Sequence, residues 1–356
     1  MNILVVCKLA DHTLKENVLL PLLSSEKVSH IFVLRDRTGD ELDGRVTYLC
    51  PDVSRKSKLR HFWKVWRGIG AVKKYKIETI IGVLNTPHGY IGRAIGFLTR
   101  TSYIHMTIAG HREFWMYGPR VERLNLWAFG SGTAITVTGS QTKNYLISKG
   151  VSENKIFLLP NLPNEIFTKV PVKTVRHYDI VSFSRIDRNK NVILLVKALA
   201  RIKDERPQLR VAIAGDGDQL ENIKLATQRY GLTEMIDFLG YVSDINDKIR
   251  LLSDSKLFVS CSKGEGFPVS LLEAMNCGCV PVVSNVGDIV DVIHSGENGY
   301  IFDDTDDETE FSNCLLRILG NDDAISNFRL EAYKIKDNIS VINNGKIWNS
   351  VFDICR

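Results

Sequence analysis

The sequence is short of the features that mark several protein classes. Its seven cysteines are an odd number with no Cys-x-x-Cys pair, so neither a disulfide framework nor a zinc-finger spacing is present, and the thiols read as reduced and mostly buried. Cys277–Gly278–Cys279 offers two sulfur ligands where a tetrahedral site wants four. No run approaches the roughly 18 apolar residues of a membrane span. Met1–Cys7 is apolar but has no basic leader and is followed at once by Lys8. It reads as a first strand, not a signal peptide, which makes a cytoplasmic protein the expectation. The loop after that strand, Cys7–Lys8–Leu9–Ala10–Asp11–His12, contains no glycine. The Gly-x-Gly-x-x-Gly of a dinucleotide-dependent oxidoreductase is therefore missing. There is no low-complexity segment and no short repeat.

What is present is a soluble, globular composition of 356 residues, 44% hydrophobic and 24% charged. That length exceeds what one hydrophobic core usually supports, so two domains are expected. The net charge of +5 conceals a split. Residues 1–165 hold 23 Lys and Arg against 13 Asp and Glu, and the remainder 23 against 28. Such asymmetry suggests a different partner for each half.

Both halves alternate strand-like and helix-like segments. Ile3–Cys7, Ile31–Leu34, Thr79–Leu84, Tyr103–Ile108 and Ile135–Thr138 are short runs rich in β-branched residues, with Phe62–Lys74 and Ile91–Leu98 long enough for crossover helices. The rhythm resumes with strands Asp179–Phe183, Arg210–Ala214, Ile236–Leu239, Leu257–Ser260 and Val280–Val283. Helical stretches Val192–Ile202, Gln219–Tyr230, Ile245–Ser253, Ser270–Met275 and Glu308–Leu319 lie among them. Alternation of this kind predicts an α/β protein with two doubly wound parallel sheets, facing each other across a cleft. Leu159–Asn164, with two prolines and two asparagines, reads as the linker. The expected boundaries are a first domain over 1–163, a second over 164–340, and a closing helix over 341–356 that packs back toward the first.

One segment carries the chemistry. Leu257–Ser260 runs into Gly264–Glu265–Gly266–Phe267–Pro268 and then a helix bearing Glu273. The glycines allow close backbone approach, and Pro268 suits an early helical position. The exposed amides of the helix's first turn suit a diphosphate. A carboxylate beside such an anion site needs another partner, and paired sugar hydroxyls can supply it. Taken singly, Glu265 and Glu273 are equally well read as surface glutamates that favour a helix start.

The whole string resembles the Glu-x7-Glu signature of the retaining, GT-B-fold glycosyltransferases of family 4 (glycosyl transferases group 1). The similarity extends to Ser184–Arg185–Ile186–Asp187–Arg188–Asn189–Lys190–Asn191, to Ala214–Gly215–Asp216–Gly217, to Phe238–Val242, and to Ser295–Tyr300. It covers nearly all of residues 179–303 in the family's order and, weakly, Ile135–Asn161. The resemblance implies that Arg185 and Lys190 clamp a donor diphosphate and stabilise the leaving group in place of a metal. It implies that Glu265 holds the transferred sugar and Glu273 the ribose, with Gly266, Phe267, Pro268 and Val269 bringing backbone near sugar and phosphates. Gly215, Asp216 and Gly217 belong to a donor loop, and Tyr241 and Val242 lie near the nucleotide base. His111, at the end of Tyr103–Ile108, matches a histidine near the acceptor and the reacting carbon; His105, inside the strand, reads as a core residue. The family needs no cofactor and no metal, and its donor is a nucleotide-diphosphate sugar, UDP- or GDP-linked. Two departures stand out: the first loop lacks the family's glycines, and Asn161 is followed by Leu162 where glycine is usual.

Residues Arg55–Lys76 hold nine basic residues and no acidic one. Leu59, Phe62, Trp63, Trp66 and Ile69 fall at helical spacing among them. Arg55, Lys56, Lys58, Arg60, Trp63, Lys64, Trp66 and Arg67 are thus expected to form a membrane or acceptor surface on anionic lipid. The plainer reading is a crossover helix whose aromatic stripe packs on the sheet. No nucleic-acid-binding module accompanies the basic half. The expected function is transfer of a hexosyl or N-acetylhexosaminyl group to a lipid-linked or cell-envelope glycan at the inner face of the cytoplasmic membrane. A soluble small-molecule acceptor, or a GT-B-like sugar-nucleotide epimerase, is the alternative.

Overall fold

The computed structural model describes residues 1–39, 42–50 and 60–355. The chain divides into two compact units, one formed by Met1–Leu162 with Ile339–Arg356 and the other by Pro163–Asn338. Arg55, Lys56 and Lys58 lie outside the described residues.

The first unit is built on strands β1 (Asn2–Val6), β2 (His30–Leu34), β3 (Val46–Leu49), β4 (Thr79–Val83), β5 (Ser102–Met106), β6 (Ala134–Val137) and β7 (Ile156–Leu158). They form one parallel sheet in the order β3-β2-β1-β4-β5-β6-β7. Ile3, Val5, Ile31, Val33, Ile81 and Val83 fill one face, while Leu4, Val6, Leu34 and Ile80 fill the other. This two-sided burial is why the strands read as continuous apolar runs. The closing helix Val341–Asp353 belongs to this unit. Trp348, Val351 and Phe352 join the core that contains β1, and Asn344 Nδ2 donates to the Pro160 carbonyl at 2.9 Å. Asn17 Oδ1 accepts from the Leu162 amide at 2.6 Å, and Asn161 Nδ2 donates to the Ile108 carbonyl at 3.0 Å. The Leu159–Leu162 segment is therefore fixed to this unit rather than hanging from it.

The second unit contains β8 (Tyr178–Phe183), β9 (Val211–Ala214), β10 (Ile236–Gly240), β11 (Ser255–Ser260), β12 (Val280–Ser284) and β13 (Tyr300–Phe302). Their order is β10-β9-β8-β11-β12-β13, all parallel. Both sheets thus have the doubly wound strand order expected of alternating strands and helices. The order reverses between β1 and β4 in one and between β8 and β11 in the other, which is where such sheets bind ligands. Cys277 and Cys279 are buried in the turn before β12, where burial pushes both thiols up to about 12. They are inert packing residues.

Candidate functional site

The loops after β8 and β11 flank the reversal point of the second sheet, and hydrogen bonds stitch them together. The Lys263 amide donates to the Asn189 carbonyl at 2.8 Å, and Asn189 Nδ2 donates to the Gly264 carbonyl at 2.8 Å. Across this seam the Lys190 ammonium pairs with Glu265 Oε1, both side chains being only 16–17% exposed. Asp187 anchors the cationic loop from within. Its Oδ1 accepts from the Lys190 amide at 2.9 Å, and its Oδ2 lies 3.2 Å from Arg185. Arg185 itself is 79% exposed, so it projects its charge at the rim while Lys190 is held.

The glycines act here through close packing of one loop on another. A Cβ on Gly215, whose φ is +146°, would stand 1.8 Å from the Ser184 carbonyl oxygen, and one on Gly217 would stand 2.3 Å from that of Ile186. Only glycine lets the loop after β9 press on the loop that carries Arg185. Asp216 and Gly217 remain exposed. Asp216–Gly217–Asp218 is formally an Asp-x-Asp triplet. Among the described residues no three His, Cys, Asp or Glu side chains gather as a metal site.

Glu265 and Gly266 are supported from behind. The Asp288 amide donates to the Gly266 carbonyl at 2.8 Å, and a Cβ on Gly287 would meet that oxygen at 2.2 Å. Phe267 is buried beneath the turn. The helix runs Val269–Asn276, and Pro268 is its N-cap, at ψ 114°, rather than an early helical residue. An extended ψ is what turns the chain out of β11 and leaves the Val269 and Ser270 amides at the open end. On the same helix Glu273 is 8% exposed. Burial raises its pKa, and the Lys248 ammonium 3.7 Å away opposes that shift. Lys248 also stands 5.2 Å over the Phe183 ring. Sequence reasoning missed it, since nothing distinguishes one lysine on the helix Ile245–Ser253 from its neighbours. Tyr241 and Val242 line a pocket of about 430 Å³ with Ser243, Asp244, Asp247 and Arg250. The Gly215 amide donates to the Gly240 carbonyl at 2.7 Å, which ties that strand end to the glycine loop.

In the first unit His111 caps the short helix Arg112–Trp115. Its amide donates to Thr142 Oγ1 at 3.1 Å, and its ring lies 5.3 Å from that of Tyr145. Glu113 fixes this loop, Oε1 accepting from the Ile108 and Ala109 amides at 2.7 and 2.6 Å. His105 is a core residue: fully buried, stacked on Phe129 at 3.9 Å, and kept neutral by burial, which lowers its pKa to about 3.

The basic helix spans Arg60–Tyr75, and its buried residues are Lys64, Gly68 and Ala71. Phe62 and Trp66 are 71% and 72% exposed, so these two aromatics face solvent instead of the sheet. Trp63 is partly buried against the core. Arg67 lies 5.9 Å over the Trp63 ring. Lys64 corrects the expectation of a surface residue. It is fully buried, 2.8 Å from Asp36 Oδ1 and 3.0 Å from His88 Nε2. Gly68 explains the inversion, because a Cβ there would stand 2.3 Å from Ile95 Cδ1. The helix packs through Gly68 on Ile95 of the helix Tyr90–Thr99, which leaves Phe62 and Trp66 outward.

The family model "Glycosyl transferases group 1" matches residues 164–343. A phosphatidylinositol N-acetylglucosaminyltransferase subunit from Arabidopsis thaliana is 27% identical over 45% of this chain and 36% of its own. The GalNAc-alpha-(1->4)-GalNAc-alpha-(1->3)-diNAcBac-PP-undecaprenol alpha-1,4-N-acetyl-D-galactosaminyltransferase of Campylobacter jejuni is 27% identical over 78% of this chain and 71% of its own. The crystal structure of Anabaena HepE in complex with UDP and glucose superposes with a TM-score of 0.78 over 99% of both chains, at 16% identity. This chain spans between 36% and 43% of the length of the curated plant, fission-yeast and Bacillus subtilis relatives it matches.

Proposed function

The chain belongs to the family of glycosyl transferases group 1, and from that premise we propose that it moves a hexosyl or N-acetylhexosaminyl group from a UDP- or GDP-sugar to an acceptor hydroxyl, with retention of configuration and without a metal. The observation that carries this reading is the Lys190–Glu265 pair at the reversal point of the second sheet, beside the open amino end of the helix Val269–Asn276.

In this reading the second unit grips the donor. Arg185 and Lys190 face the diphosphate as preorganised cations, worth most where charge develops on the departing nucleoside diphosphate. Lys190 holds one oxygen of Glu265, leaving the other to accept from a sugar hydroxyl. Glu273, steadied by Lys248, accepts from the ribose. The first unit receives the acceptor near His111. Retention and metal independence come from the likeness to family 4.

The proposed acceptor is a lipid-linked or cell-envelope glycan intermediate at the inner face of the cytoplasmic membrane. The activities of the Arabidopsis and Campylobacter relatives support it, as do Phe62 and Trp66, exposed on a helix that also bears Arg60, Arg67, Lys73 and Lys74. No helix among the described residues is long and apolar enough to cross a membrane, so contact would be peripheral.

A thermal-denaturation panel of UDP, GDP, ADP, TDP and their sugars tests the donor assignment. A nucleotide at 100 times its Kd adds about 2.7 kcal/mol of stability. One diphosphate and its sugar should stand out; a panel with no shift contradicts the proposal.

A further inference from the structure

The carboxyl ends of β1 and β2 hold a cluster of charge that the donor site does not use. A cavity of about 380 Å³ opens there, lined by Lys8, Arg35, Arg37 and Arg60, with Asp36 and the chain at 9–10. That volume is ordinary for a small-molecule site.

The cations are built in. Arg35 is 2% exposed, and its guanidinium donates to Asp11 Oδ1 at 2.7 Å and to the Leu9 carbonyl at 3.0 Å. Arg37 reaches the other oxygen of the same carboxylate at 2.8 Å. Asp11 thus ties two guanidinium groups side by side. Asp36 is matched from the protein interior by Lys64 at 2.8 Å, while Arg60 stands 3.8 Å from it. Lys8 is exposed and has no ion-pair partner among the described residues. Among the described residues four cations and one carboxylate therefore line the cavity, with Asp11 and Lys64 paired to them from outside the lining. Cations held this close favour a further anion in the cavity between them.

The position bears on the anion. In dinucleotide-binding doubly wound sheets, the chain just past the second strand presents an acid to a ribose diol or an arginine to a phosphate ester; here β2 is followed by Arg35–Asp36–Arg37. The loop after β1 has no glycine, so it lacks the backbone cradle of a dinucleotide diphosphate. Paired guanidinium forks match phosphate oxygens two at a time.

We propose that this pocket binds a phosphate or diphosphate ester, which makes the acceptor a phosphorylated molecule; the acceptor role, though not the binding itself, rests on the transferase reading. The anion is the headgroup of a lipid or the phosphate of a soluble compound.

The test compares the full chain with its Lys8→Ala/Arg37→Ala variant, both residues being at the surface, and with Lys73→Ala/Lys74→Ala, which removes the same charge elsewhere. Inorganic pyrophosphate is titrated by calorimetry, and flotation is measured on phosphatidylcholine vesicles with and without phosphatidic acid. A loss of about tenfold or more in pyrophosphate affinity confined to the pocket variant supports the site with a soluble source. The same loss confined to phosphatidic-acid vesicles supports it with a lipid source. Equal binding by the pocket variant and the wild type, or equal losses in both double variants, overturns the proposal. Parallel UDP and GDP titrations keep the two claims apart. Wild type that binds pyrophosphate through the pocket but neither UDP nor GDP refutes the donor assignment and leaves the pocket standing.

Discussion

Lys190 and Glu265 lie in different loops, 75 residues apart, and are joined by an ion pair. At 16–17% exposure neither group is fully hydrated, so each orients the other more firmly than a surface pair would. Glu113 is the more unusual carboxylate. Burial raises its pKa to about 7 against the pull of its backbone hydrogen bonds. A folded-state pKa above the unfolded value means that the native chain keeps a proton the unfolded chain releases. Its contribution is favourable at low pH and is lost as pH rises from the ordinary carboxylate range to about 7. Glu113→Gln keeps an oxygen for the Ile108 and Ala109 amides and abolishes the titration. The stability difference between variant and wild type, from urea denaturation, should grow between about pH 5 and pH 7.5, to at most about 3 kcal/mol. A difference that stays flat over that window would show that Glu113 does not titrate there.

At the scale of elements, the central strands were legible because each is buried on both faces and reads as an unbroken β-branched run. The edge strands β3, β7 and β13 were not, at three or four residues apiece. Their pairing is imposed by the neighbouring strand, too briefly to leave a period in the sequence. The helix Pro119–Gly130 escaped for another reason. Leu124 and Trp127 are 48% and 73% exposed, so its apolar residues do not mark its buried face. The same inversion on Arg60–Tyr75 concealed Lys64 as a buried residue. It also defines a test of the membrane proposal. Phe62→Ser/Trp66→Ser removes exposed area and should leave the melting temperature nearly unchanged, while co-sedimentation with anionic vesicles at low salt falls several-fold. Unchanged co-sedimentation would place membrane contact elsewhere. Between Leu257 and Asn276 the sequence showed the strand, the turn and both glutamates, since these are contiguous. Lys248 meets Glu273 only through folding that brings distant segments together, and no local pattern announces it.

The molecule as a whole joins a basic half to an acidic one, and the family model covers the acidic half almost alone. A half that grips a common donor keeps a common pattern; a half that fits a particular acceptor has no such constraint. In the proposed division of labour, the second unit supplies the sugar and the first chooses where it goes. The claim beneath it is that a nucleotide-linked sugar is transferred, with Glu265 at the sugar. The most direct measurement incubates the full chain with radiolabelled UDP- and GDP-sugars and a cell-envelope lipid extract, and follows label entering the lipid-linked fraction together with release of nucleoside diphosphate. The account predicts equal amounts of both products from one donor. It predicts a loss of at least about 10³-fold in Glu265→Ala with nucleotide affinity held within a few-fold. Transfer that survives in Glu265→Ala at the wild-type rate would contradict it.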